Sequence, residues 1–221
     1  MLVKTNLKTK NVIFPYTPGE EAGNAISHGI MALVTLGGIS PTVIHVFVQH
    51  GALAAAGASI FMCSIFLMFL SSALYHSMAH DTRHRQVMQI LDHIFIYVAI
   101  AGTYTPIALS VIGGWQGIAI VSTQWMMAIF GILYKSIAKR KIPWLSLALY
   151  IVMGWSGILV APLVIRYASL EMQLLLLGGG LSYSAGTYFF AKKWKKFFHT
   201  VWHIFVITGA ICHYLAVLLF L

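Results

Sequence analysis

The chain has 221 residues, of which 59% are hydrophobic and only 9% are charged, and its mean hydropathy is +0.84. Soluble domains carry roughly 25% charged residues, so this composition excludes a soluble enzyme or binding domain and indicates a polytopic membrane protein. Because a membrane-spanning helix needs about 20 apolar residues, the length allows about seven spans joined by short loops, with no separate soluble domain.

Apolar runs divide the chain into a short polar start and seven candidate spans. The first 24 residues (1–24) are expected to form a cytoplasmic N-terminal segment, in which Pro15 and Pro18 favour an extended chain. The first ten residues carry charge but no apolar stretch with a cleavage site, so no removable signal peptide is expected. Residues 25–221 are predicted to form a seven-helix transmembrane domain, with spans at 25–47, 54–76, 88–109, 115–134, 142–164, 170–191 and 200–221. The predicted fold class is therefore an all-α membrane protein, a seven-transmembrane-helix bundle.

Polar residues cluster where the first span begins. Glu20 and Glu21 are followed by Asn24, Ser27 and His28. One interpretation is a helix start, with the acids at the positive end of the helix dipole. The other is that Glu21, Asn24 or His28 contacts the ligands of a metal site without binding the ion itself.

The second span ends with Ser72 and His76, one helical turn apart. His80 and His84 continue the spacing of four residues and could look like a stripe of metal ligands. Charged residues are interleaved with them, namely Asp81, Arg83 and Arg85. That composition is typical of a solvated cytoplasmic loop, so only His76 is assigned to a metal.

The third span contains a single acid, Asp92, which precedes His93. Adjacent residues on a helix point about 100° apart, so both side chains are not expected to face one site equally well. Asp92 is the preferred candidate, since an unpaired carboxylate in a membrane span is costly whereas a histidine at the boundary is not. Pro106 is expected to kink or end this span.

The seventh span begins with the pattern His199-x-x-x-His203. Histidines four apart lie on one helical face about 6 Å apart along the axis, so both imidazoles can reach one ion. His213 lies about 15 Å further along the helix, too far to share that ion. A third ligand from another span is required, and His76 is the candidate.

The distribution of basic residues predicts the orientation of the spans. All but one of the 14 Lys and Arg residues lie before span one or in the loops after spans two, four and six, and the exception is Arg166. The positive-inside rule then places the N-terminus in the cytoplasm and the C-terminus outside. This alternation argues against a nucleic-acid surface as the reason for the net charge of +9. It also places His76, Asp92, His199 and His203 at one depth, at the cytoplasmic side.

Several of these stretches together resemble a known family. They are Glu-Glu…Asn-Ala-Ile-Ser-His-Gly at 20–29, Ser72-x-x-x-His76, Leu-Asp-His…Ala-Gly-Thr-Tyr-Thr-Pro at 91–106, Val-Met-Gly-Trp at 152–155 and His199-x-x-x-His203. The chain is similar over nearly its whole length to the bacterial haemolysin III proteins, the prokaryotic branch of the progestin and adipoQ receptor family. This resemblance implies a multi-pass protein of the bacterial cell (inner) membrane.

The resemblance also implies a zinc ion near the cytoplasmic face, held by His76, His199 and His203. It implies that Ser72 and Asp92 stand near a water on that zinc. The wider superfamily includes alkaline ceramidases, which hydrolyse a sphingolipid amide, so the expected function is zinc-dependent hydrolysis of a lipid amide or ester, with a role in membrane lipid homeostasis. Membrane lipids are the expected partners.

The donor set agrees with this chemistry, because three neutral imidazoles leave one position of a tetrahedral zinc open, as in catalytic sites. Spacing alone leaves iron and manganese open as well. Two other functions remain. The zinc could be structural in a membrane sensor or regulator without turnover, or the protein could be a pore-forming haemolysin, which suits a chain embedded in its own cell's membrane less well.

Overall fold

A computed structural model describes residues 16–137, 143–192 and 195–221. Within these ranges the regular structure is helical and contains no β-strand. The elements are α1 (Pro18–Ser77), α2 (Arg83–Pro106), a π-helical segment (Ile107–Ile112), α3 (Gly114–Ile137), α4 (Pro143–Trp155), α5 (Gly157–Tyr167), α6 (Leu170–Ala191) and α7 (Phe198–Phe220). The expectation of an all-α protein is thus confirmed.

Six helical stretches in the described part of the chain are long and apolar enough to cross a membrane. They are α1, α2 with the π-helical segment, α3, α4 with α5, α6 and α7. Large apolar side chains on their outer faces are exposed, for example Leu159 at 84% and Leu33 at 72%. An apolar exterior of this kind is suited to lipid rather than to water.

Helix α1 has 60 residues and is helical on both sides of a single interruption. At that interruption the chain folds back, so the two halves form an antiparallel hairpin. Gly51 interrupts it with a non-helical backbone, φ 79° and ψ −173°. The halves lie side by side, because a Cβ on Gly38 would stand 3.3 Å from Met62 and one on Gly29 would stand 3.8 Å from Ala73. The two predicted spans at 25–47 and 54–76 correspond to these halves.

The start of α1 lies earlier than the expected span start at residue 25. Thr17 accepts a hydrogen bond from the Glu20 amide, and the Glu20 carboxylate accepts one from the Thr17 amide. This reciprocal capping, with Pro18 in the first turn, begins the helix at Pro18. The expected extended chain therefore gives way to helix from Pro18 onward.

Prolines and small residues interrupt the other spans. Helix α2 ends at Pro106 and continues as the π-helical segment up to Gly113, in agreement with the expected kink or end. A break at Ser156 separates α4 from α5.

The helices bury two apolar clusters. The larger cluster is centred on the second half of α1 and α7, with Phe61, Phe69 and Val217 fully buried. The smaller one joins α2, α3 and α4 around Tyr97 and Met153. Helix α1 packs most extensively on α2, and α6 on α7. This arrangement brings the beginnings of α1, α2 and α7 next to the end of α1.

Several basic residues used to predict the orientation lie outside the described residues. They are Lys4, Lys8, Lys10, Lys139, Arg140, Lys141 and Lys193.

Candidate metal centre

Three buried histidines meet where the end of α1 packs against the beginning of α7. One ring nitrogen from each of His76, His199 and His203 lies within 4.8 Å of the others. Their ring centroids are 4.8 to 5.3 Å apart, and the residues are between 2% and 8% exposed. Because imidazoles are common ligands of divalent transition metals, these three residues could hold a metal ion.

The Glu21 carboxylate contacts His76 from the beginning of α1. The Nδ1–H of His76 donates a hydrogen bond to Glu21 Oε2 at 2.6 Å. The other nitrogen, Nε2, is buried and has no hydrogen-bond partner among the described residues. A buried nitrogen without a partner is costly, whereas a metal-binding histidine usually donates its second N–H to a carboxylate or carbonyl. His76 thus fits a metal ligand that binds through Nε2.

His203 has the same arrangement with a different acceptor. Its Nδ1 lies 3.2 Å from the carbonyl oxygen of Asn24 and 3.1 Å from the Ser27 hydroxyl. Because a carbonyl oxygen only accepts, Nδ1 carries the proton and Nε2 is left as the potential ligand. The start of α1 therefore orients two of the three histidines.

The beginning of α7 is held against α1 by two further contacts. The backbone N–H of Phe197, which has a left-handed conformation with φ 59°, donates to Glu20 Oε1 at 2.7 Å. The Thr200 hydroxyl donates to Asn24 Oδ1 at 2.6 Å. Gly23 favours this close approach, since a Cβ there would stand 3.3 Å from Thr200. These contacts fix the helical turn that carries His199.

Aromatic rings cover the three histidines. Tyr16 stacks on His199 with ring centroids 4.9 Å apart and presents its edge to His76. His28 stacks face to face on His203, with centroids 3.6 Å apart and planes 5° apart. Both ring nitrogens of His28 are buried without a hydrogen-bond partner among the described residues.

A cavity of about 470 Å³ adjoins the histidines. Ser72, Asp92, His199 and His203 line it, and apolar residues of α2, α4, α5, α6 and α7 form most of the remaining wall. Its volume lies in the range of small-molecule sites. The cavity extends away from the histidines to His213, whose Nε2–H donates to the Leu176 carbonyl at 3.2 Å.

Tyr16, which precedes α1, is buried against the histidines. Burial raises the pKa of the Tyr16 phenol above its usual range, and nearby ionisable groups, including Glu21 and Asp92, raise it further. The phenol therefore stays protonated near neutral pH.

Comparison with known proteins identifies the family. A sequence model of a family described as haemolysin-III related matches residues 16–214. The chain is 38% identical over 206 residues to the Hemolysin-3 homolog of Bacillus subtilis (strain 168). The aligned region covers 93% of this chain and 96% of that protein. It is 35% identical over 201 residues to Hemolysin-3 of Bacillus cereus, covering 91% of each. The human monocyte to macrophage differentiation factor is 29% identical over 166 residues, 71% of this chain and 65% of that protein.

The chain belongs to the haemolysin III family. The predicted resemblance is confirmed, and the human match agrees with its extension to the wider progestin and adipoQ receptor family. With its six long apolar helices, this haemolysin III protein is a multi-pass bacterial membrane protein.

In this haemolysin III protein the structure brings three of the five candidate site residues into one cluster and places the other two on the wall of the adjoining cavity. His76, His199 and His203 form the cluster, and Ser72 and Asp92 line the adjoining cavity. His84 is exposed and is not part of the cluster. Of the two interpretations left open for the start of the first span, the helix start is confirmed, because Glu20 caps α1, and Glu21 contacts His76, one of the three clustered histidines.

Two residues near the cluster have no place in the sequence-based hypothesis. Tyr16 falls in the segment expected to be a lead-in to the bundle, and Arg85 was assigned to a solvated loop. Arg85 is in fact only 7% exposed, and its guanidinium pairs with Glu21. The expectation for Arg85 was wrong because its charge is compensated inside the bundle, which its sequence position does not reveal.

Proposed function

We propose that this protein is a zinc-dependent membrane hydrolase that cleaves a lipid amide or ester. The observation that supports this most is that three buried histidines adjoin a largely apolar cavity. Two of the histidines already donate a hydrogen bond from Nδ1, and a carboxylate and a hydroxyl line the cavity. Ligands and cavity together favour chemistry on a lipid over a purely structural metal.

Zinc suits the donor set better than other metals. Three imidazoles without a thiolate, and with hydrogen-bonded Nδ1 atoms on two of them, are typical of catalytic zinc sites that keep one position open. When bound, the metal supplies Lewis acidity toward a carbonyl and lowers the pKa of water.

The residues of the cavity perform the remaining tasks. The Asp92 carboxylate accepts a proton from the attacking water and returns it to the departing amine or alcohol. The Ser72 hydroxyl donates a hydrogen bond to the carbonyl oxygen as negative charge develops there. The apolar wall holds the acyl chain and excludes bulk water. The overall reaction consumes one water and releases a fatty acid and the amine or alcohol.

The hairpin of α1 supports an orientation for the proposed site. Each half of α1 crosses the membrane, so the six long helices make seven crossings. The positive-inside rule, applied to the basic loops, then favours a cytoplasmic N-terminus and histidine cluster and a C-terminus outside. Substrate therefore reaches the cavity from the bilayer, with its polar group at the cytoplasmic side.

Metal content tests the metal site first. We expect about one zinc per chain in detergent-purified protein measured by plasma mass spectrometry, and loss of that zinc in His203→Ala. His84→Ala is the matched control, since His84 is exposed, and it should retain the metal. Absence of metal from the unaltered protein would contradict the proposal.

Lipid turnover tests the role of Asp92. Asp92→Ala should retain zinc, because no ligand is removed, but should lose hydrolysis of lipid amides and esters by at least about 100-fold, since general acid–base catalysis contributes about 10² to 10⁴. Product release is measured by mass spectrometry with a panel of acyl amides and esters in mixed micelles. Zinc-loaded protein without turnover on any of them would favour the sensor or regulator with a structural metal.

A further inference from the structure

Arg85 joins three elements at the edge of the metal centre. It lies in the first turn of α2, and Nη1 donates to the carbonyl oxygens of Met78 at 2.6 Å and Tyr75 at 3.2 Å, at the C-terminal end of α1. Nη2 donates to Glu21 Oε1 at the beginning of α1. The guanidinium also stands 4.6 Å from the centre of the Tyr75 ring. A planar fork with several fixed donors can make all of these contacts at once.

The two carboxylate oxygens of Glu21 hydrogen-bond to different residues, and His80 Nε2 also lies 3.7 Å from Oε1. Oε1 accepts from Arg85, and Oε2 accepts from His76 Nδ1. With the guanidinium against Oε1, the carboxylate is turned so that Oε2 faces His76 Nδ1 as its acceptor. In this geometry His76 donates from Nδ1 to Glu21, and its buried Nε2 is left for the cluster with the other two histidines.

We propose that Arg85 and Glu21 are positioning residues that set the tautomer and ring orientation of His76 for metal binding. This inference rests on the proposed metal site. Arg85 fixes the position of Glu21, and Glu21 fixes His76. The contacts of Arg85 also connect the two ends of the α1 hairpin to α2, which carries Asp92 two turns after Arg85.

A simpler role for Arg85 is to cap the end of α1 through the Met78 and Tyr75 carbonyls. A cap stabilises the fold but has no reason to change the affinity of the folded protein for a metal. Metal affinity, measured beside the stability of the metal-free protein, separates the two roles.

The test compares full-length variants in detergent, stripped of metal. Dissociation constants for Zn²⁺ are measured by competition with a chelator of known affinity, and Co²⁺ absorption reports the geometry of the site. Glu21→Gln keeps the shape of the side chain and removes its charge, and we expect it to weaken Zn²⁺ binding about 10- to 100-fold. Arg85→Gln should weaken it in the same range, and Arg85→Lys should restore part of the loss.

Two exposed residues provide matched controls. Arg83→Gln removes a positive charge from the same turn of α2, and Glu171→Gln removes a negative charge from the first turn of α6. Both should bind Zn²⁺ as tightly as the unaltered protein. An equal loss in Arg83→Gln would mean that net charge sets the affinity, and the inference would be overturned.

The double variant Glu21→Gln, Arg85→Gln guards against failure of a single variant to fold. Arg85→Gln leaves a buried carboxylate without its cation, which is strongly destabilising, whereas the double variant leaves no uncompensated charge. It should melt closer to the unaltered metal-free protein yet bind Zn²⁺ no better than Glu21→Gln. Affinity in Glu21→Gln or the double variant equal to that of the unaltered protein would overturn the inference. Absence of Zn²⁺ binding by the unaltered protein would refute the metal site itself.

Discussion

The three histidines of the metal centre are supported by three different kinds of contact. A carboxylate orients His76, a backbone carbonyl orients His203, and an aromatic ring packs on His199. The side-chain carboxylate can be removed by mutation, whereas the carbonyl of Asn24 is present whatever residue stands there. Substitutions at Glu21 should therefore affect the site more than substitutions of Asn24 affect His203.

Tyr16 is expected to slow the escape of metal by covering His199. Tyr16→Ala removes the stacked ring and admits water, so chelator-induced release of Zn²⁺ should become faster. An aromatic stack contributes about 1 kcal/mol beyond buried area, which corresponds to roughly a fivefold change in rate. Tyr16→Phe keeps the ring and should release Zn²⁺ at nearly the original rate. Equally fast release from both variants would assign the effect to the hydroxyl instead.

At the scale of residues, the sequence predicts the candidate ligands better than it predicts the residues that orient them. His199 and His203 stand out because a spacing of four places both on one helical face. Arg85 does not, since its partners Glu21, Tyr75 and Met78 come together only after α1 folds back on itself. A charged residue near a span end has the same appearance in sequence whether it is solvated or paired inside the bundle.

The turn at Gly51 makes a prediction at the scale of a helix. Its φ of 79° and ψ of −173° lie in a region that is accessible almost only to glycine. Gly51→Ala should therefore destabilise the protein by about 1–3 kcal/mol, although nothing lies within 4 Å of the added Cβ. Gly37→Ala is the control, since its Cβ also meets open space but its backbone is helical.

Thermal unfolding in detergent distinguishes these two glycine variants. Gly37→Ala should be neutral or more stable by about 0.5–1 kcal/mol, because alanine favours the helix. A Gly51→Ala variant as stable as Gly37→Ala would show that the turn tolerates another conformation and that glycine is not required for the hairpin.

Element positions were predictable because hydrophobic length is a strong signal. The later predicted spans lie within the observed helical stretches to within a few residues. The start of α1 was less predictable, because its first turn is stabilised by Thr17 and Glu20 rather than by apolar residues. The break at Ser156 is also invisible in an otherwise continuous apolar run.

At the scale of the whole molecule, the site depends on the order in which the helices alternate. His76 ends the second half of α1, Asp92 follows the start of α2, and His199 follows the start of α7. Antiparallel neighbours bring the end of one helix beside the beginning of the next, so residues far apart in sequence meet at one end of the bundle. Alternation of basic loops predicted this meeting, whereas the shape of the cavity depends on side-chain packing that no pattern encodes.

The proposed topology, seven crossings with a cytoplasmic N-terminus, is tested by reporter fusions at two points. Alkaline phosphatase is active only on the outer side of the membrane, and green fluorescent protein fluoresces when it is on the cytoplasmic side. With seven crossings and a cytoplasmic N-terminus, fusion after Leu221 should give active phosphatase, and fusion after Ile137 should give fluorescence. If α1 crossed only once, both positions would change sides relative to the N-terminus. Fluorescence after Leu221 together with active phosphatase after Ile137 would contradict the combination of seven crossings with a cytoplasmic N-terminus.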